Sequence, residues 1–162
     1  MELKELFGLP AHPLVVHAAV VLLPLAAIAT LVCAAAPRLR RHYAPIALAM
    51  AVVATLAVGL AQGSGEELED QVDETELVEE HTEQGERVLP WAIAVTVVAA
   101  AITAIPVLVR RRPTLSARTV TAAVVAVSLV AGAGATWTVT EVGHSGAKAT
   151  WDDVGTEDGK SP

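Results

Sequence analysis

Four long apolar runs separated by short polar stretches dominate the chain. They occupy residues 13–36, 43–62, 88–109 and 117–140, and within each the apolar residues follow one another almost continuously rather than at amphipathic spacing. At about 1.5 Å of rise per residue, each run can cross a hydrocarbon core of roughly 30 Å. The pattern predicts an all-α fold, a four-transmembrane-helix bundle in a single membrane domain over residues 1–154, with a flexible polar tail over 155–162. Pro24 in the first run and Pro90 and Pro106 in the third predict kinks whose freed carbonyls neighbouring groups satisfy.

The polar stretches carry their own pattern. Residues 64–87 are heavily acidic, yet Leu68, Val72, Leu77 and Val78 recur at roughly helical spacing among good helix formers. This predicts one or two amphipathic helical pieces lying over one end of the bundle, the last running into the third span. On them Thr82 and Glu83 face water, while His81, Gly85 and Val88 fall on another side. Gly63 and Gly65 predict a break after the second span, and the glycines around His144 predict a turn after the fourth.

Charge fixes the direction. The chain of 162 residues has a net charge of −7, but its signs are segregated. Arg38, Arg40 and Arg41 follow the first span, and Arg110, Arg111, Arg112 and Arg118 follow the third, both in short connections free of acids. The positive-inside rule places these in the cytoplasm, so both termini and the acidic connection are expected to be extracytoplasmic. Residues 1–12 lack a basic leader region and no small-residue cleavage site follows, so the first span is expected to be retained. Alanine and valine fill the spans and aromatics make up 3% of the chain, a composition for close helix packing that Gly132 and Gly134 extend. Trp91, Trp137 and Trp151 are expected to anchor at interfaces.

Several chemistries are excluded or disfavoured by what the chain contains. A single cysteine, Cys33, rules out an internal disulfide and the CxxCH attachment of a c-type haem. There is no phosphate-cradling glycine loop, and the GHSGA segment is not the GxSxG elbow of a hydrolase. The arginines form two membrane-flanking loops rather than a groove, so nucleic acid is not an expected partner. The spans carry no acidic residue at mid-membrane, only hydroxyls such as Thr96, Thr103, Thr121 and Ser128, which argues against a proton-coupled transporter.

Histidine is the residue that remains. The topology puts His12, His17, His81 and His144 at the same outer end of the bundle, and leaves His42 in a basic connection at the other. His12 and His17 lie about 7.5 Å apart along a regular helix and about 140° around it, so they do not share a face. Pro13 disfavours helical geometry at His12 and lets its ring fold back over the helix end. His17, deeper in an apolar run, is expected to face the bundle interior. Neutral imidazoles from several helices are suited to haem iron or to zinc, copper or iron ions, and Glu141, Glu80 and Glu83 are available to orient a ligand ring. His17 with His81 is the first expected ligand pair. His12 with His144 is the second, as further ligands or as hydrogen-bond partners.

The segment LPAHPLVVHAAVVLLPLA resembles a family of predicted bacterial membrane proteins of unknown function that open on an HPxxVHxP-type signature. His12, Pro13, Val16 and His17 stand in that pattern, with Ala19 where many relatives carry proline. His81 with Gly85, and Gly143 to Ala147 as a closing HxG-type turn, continue the resemblance. It implies a four-helix protein of the bacterial cytoplasmic membrane with an outward histidine cluster, and, through relatives joined to c-type cytochrome modules, redox work. The function expected is therefore binding of haem b or a transition metal ion in extracytoplasmic electron transfer, with a redox protein as partner on the outer face. The alternative is a non-redox scaffold or accessory subunit whose acidic outer helices bind a protein. Homo-oligomerisation is left open.

Overall fold

The computed structural model describes residues 5–6, 9–69, 71–73, 75–111 and 116–151; the expected tail over 155–162 lies outside them. Five helices follow in order: α1 (Ala11–Ala35), α2 (Pro37–Glu69), α3 (Glu76–Glu86), α4 (Val88–Arg111) and α5 (Ala117–Trp151). Ahead of them, the two-residue segments Glu5–Leu6 and Leu9–Pro10 pair antiparallel. Four stretches, His12–Ala35, Pro37–Glu69, Glu76–Val109 and Arg118–Trp151, are long and apolar enough to cross a membrane, as expected, and α3 leads into the third of them. The chain is a multi-pass membrane protein whose surroundings are lipid.

A stripe of small residues explains how the long helices meet. On α2 the buried positions are Arg40, Ala44, Ala47, Ala51, Ala54, Ala57, Val58 and Ser64, a spacing of three and four that keeps one face inward. Ala19, Leu23, Ala26, Ala27, Thr30, Cys33 and Ala34 do the same on α1, and Val88, Ala92, Val95, Ala99, Ile102 and Ile105 on α4. The large apolar side chains point the other way: Val21, Ile28, Leu56, Val97, Val130 and Trp137 are all more than half exposed, as a lipid-facing surface requires. Lipid tails are as apolar as these side chains, so association rests on close van der Waals fit between small residues. Each of α1 and α4 packs against both α2 and α5, and α1 also touches α4 across the middle.

Polar groups join the helices where the stripe admits them. The Thr55 hydroxyl lies 2.8 Å from that of Thr96 and donates toward the carbonyls of Ala51 and Ala92, linking α2 to α4. At the turn between α1 and α2, buried Arg40 donates from Nε to the carbonyl of Cys33 (3.1 Å) and from Nη2 to that of Ala34 (2.6 Å). These are two of the carbonyls that a helix C-terminus leaves without partners. The α3 helix starts on Thr75, whose hydroxyl accepts from the N–H of Val78, and Glu76 and Glu79 occupy its positive first turn.

Three expectations are corrected. The basic segment after the first span is not a loop, because only Ala36 separates α1 from α2 and Arg38, Arg40 and Arg41 lie in the opening turns of α2. The α2 helix does not break at Gly63 and Gly65 but runs on to Glu69, and α5 does not turn at His144 but continues to Trp151. The reason is the same in both places: the inward stripe carries on past Gly63 to buried Ser64 and past Gly143 to buried Ser145. Packing of that face outweighs the roughly 1 kcal/mol that each helical glycine costs relative to alanine.

Candidate functional site

Those two overrunning helix ends build the site. His12 sits in the first turn of α1, where Pro13 is tolerated because the N–H it lacks would have had no partner, and the residue is helical rather than folded back as expected. His12 is seven residues before Ala19, about −20° from it on an ideal helix, so it extends the inward stripe. Its Nδ1 lies 3.0 Å from the carbonyl oxygen of Ala61 and 3.2 Å from the hydroxyl of Ser64, both at the end of α2. A carbonyl only accepts, so Nδ1 carries the proton and donates it. Ser64 sends its own hydrogen to the same carbonyl (3.0 Å) and turns its lone pairs to the ring.

His81 is held in the same way. It stands in the middle of α3, and its Nδ1 lies 3.1 Å from the hydroxyl of Ser145 on α5. Ser145 donates to the carbonyl of Val142 (3.2 Å), leaving its oxygen to accept from Nδ1–H. The ring is half-buried, and burial pushes its pKa down from the usual 6.5. The neighbouring His12 pushes in the same direction, and the Val142 carbonyl opposes both. Burial thus favours the neutral ring, and a proton on Nδ1 given to Ser145 leaves a lone pair on Nε2.

Each ring also rests on a glycine. A methyl group added to Gly65 would meet Cε1 of His12 at 3.1 Å, and one added to Gly146 would meet Cε1 of His81 at 2.8 Å. The absent side chains let the imidazoles lie against the α2 and α5 backbones. At the same end, Gln62 donates from Nε2 to the carbonyl of Gly85 (2.9 Å) and fixes α3 to α2.

The other expected residues lie elsewhere. His17 is exposed, not inward, and donates from Nδ1 to the Pro13 carbonyl one turn back. It is two residues, or about 200°, from Ala19, which turns it away from the stripe. His144 and Glu141 are exposed on α5. Glu80 and Glu83 are exposed on α3, where Glu80 accepts from Nε2 of Gln84 at 2.9 Å. The orienting role foreseen for these carboxylates is filled at the two half-buried rings by backbone carbonyls and serines. Among the described residues no three His, Cys, Asp or Glu side chains gather closely enough to hold a metal ion together. Ser64, Ser145, Gly65 and Gly146 were missed from sequence; the buried stripe running through them is the signal that finds them.

A family model described as "Predicted membrane protein (DUF2231)" matches residues 8–158. No curated protein and no solved structure matches the chain. The chain belongs to this family of predicted membrane proteins.

Proposed function

From that membership and the histidine geometry, we propose that the protein binds haem b, or a copper or iron ion, between His12 and His81 at the extracytoplasmic end of the bundle, and passes electrons there. One observation carries the reading. Two imidazoles from opposite halves of the chain are each held through Nδ1, which leaves Nε2 as the atom available to coordinate. Two imidazoles complete the axial set of a haem iron, whereas a tetrahedral zinc site draws about three or four protein ligands, so the number present favours haem or a metal of low coordination. The arginines of residues 38–41 and 110–118 follow the first and third spans, and the positive-inside rule supports an outward orientation for the histidines in a bacterial cytoplasmic membrane.

The test is metal and haem analysis of detergent-purified protein made with adequate haem supply. A stoichiometric cofactor is expected in the natural chain, lost in His12→Ala and in His81→Ala and retained in His17→Ala and His144→Ala. A folded protein that holds no cofactor would overturn the reading. It would favour the second one, a scaffold, for which the exposed Glu76, Glu79, Glu80, Glu83 and Glu86 of α3 offer an acidic face to a basic partner.

A further inference from the structure

The surroundings of His12 and His81 are the same device built twice. In each, Nδ1 faces a serine hydroxyl, that serine donates to the carbonyl three residues earlier, and the imidazole lies on the glycine that follows the serine. The chain around them repeats as well. Proline is the third residue of both α1 and α4, and Pro13 to Ser64 and Pro90 to Ser145 are segments of nearly equal length. Helix neighbours follow the same rule. Exchanging α1 with α4 and α2 with α5 turns the α1–α2 contact into α4–α5 and the α2–α4 contact into α1–α5, and all four are present. The pair that lies across the middle, α1 with α4, maps onto itself. This is the neighbour pattern that two helical hairpins related by a two-fold axis along the bundle would give. Two departures stand: α1 and α2 meet more extensively than α4 and α5 do, and α3 delivers the second histidine from a separate helix ahead of α4.

We propose that the Ser64–Gly65 and Ser145–Gly146 steps are equivalent positioning elements, produced by internal repetition of one helical hairpin, that fix His12 and His81 as matching Nδ1–H tautomers. The inference deepens the reading of these histidines as a ligand pair and rests on it for its purpose, but its geometry is independent of any ligand. A free imidazole in water favours the Nε2–H tautomer, so the protein selects the minor form twice. Two equivalent histidines then offer two Nε2 lone pairs, and a metal between them receives identical donors from the two halves.

The experiment is nitrogen-15 NMR of histidine-labelled protein in detergent, without added cofactor, at about pH 8, where imidazole is neutral. His12 and His81 are expected to show protonated Nδ1. Gly65→Ala is expected to shift the His12 ring toward Nε2–H and leave His81 unchanged, and Gly146→Ala to do the reverse. Ser145→Ala is expected to act on His81 as Gly146→Ala does, and Ser145→Thr, which keeps the hydroxyl, to restore the signal. Gly63→Ala and Gly143→Ala, where an added methyl group has open space, serve as controls and are expected to move neither ring. Protonated Nε2 on either ring of the natural chain, or rings indifferent to their own serine–glycine step, would overturn the proposal. A protein that binds no haem or metal yet gives these spectra would overturn the cofactor reading and leave the repeat standing.

Discussion

At the scale of single residues, His81 ties protonation to stability. Burial and the neighbouring His12 keep its folded-state pKa below the 6.5 of an unfolded chain. Below that pH the unfolded state binds more protons than the folded one, so stability is fully present above about 6.5 and is lost as pH falls toward the lowered folded value. The thermal midpoint in detergent is therefore expected to drop between about pH 7.5 and 5.5. His81→Gln is expected to flatten that slope, and a slope unchanged in this variant would assign the effect to other groups. Which histidines would be buried was only half legible. The rule that an ionisable group in an apolar run turns inward placed His17 in the core, and the periodicity of small residues overrides it. Alanines at 19, 26 and 27 mark the packed face, with His12 on it and His17 off it.

At the scale of elements, glycine acts as a contact surface. A methyl group added to Gly134 on α5 would overlap the ring of Trp91 on α4, and one added to Gly132 would touch the methyl of Ala27 at 3.4 Å. Gly134→Ala is expected to cost about 1–3 kcal/mol in thermal unfolding and to change Trp91 fluorescence. Gly59→Ala on α2, where the added methyl meets nothing, is expected to be neutral or to stabilise by up to about 1 kcal/mol. Equal effects at the two positions would show that the α4–α5 contact does not depend on that fit. Spans and their number were legible because unbroken apolar length is a strong signal. Helix ends were not, because Gly63, Gly65, Gly143 and Gly146 read as stops in isolation and the packing of the stripe carries α2 and α5 through them.

At the scale of the whole molecule, the separation of charge makes the direction of insertion a testable expectation. With Cys33 replaced by alanine, a cysteine at Glu79 is expected to react with a membrane-impermeant maleimide added to intact cells, and one at Arg41 only after the membrane is opened. The reverse pattern would invert the topology. Both positions are exposed, so access to the side chain does not limit either reaction. The repeat of two hairpins was not legible, since the second histidine arrives on α3 and its spacing from the serine differs from that of the first. The clamp of Arg40 on α1 has a consequence for how the chain is made. The carbonyls of Cys33 and Ala34 lie seven and six residues before the side chain that satisfies them, so the end of α1 is incomplete when it leaves the ribosome. The first span is finished by the opening turns of the second, so the two helices share one joint, a stitch that neither makes alone.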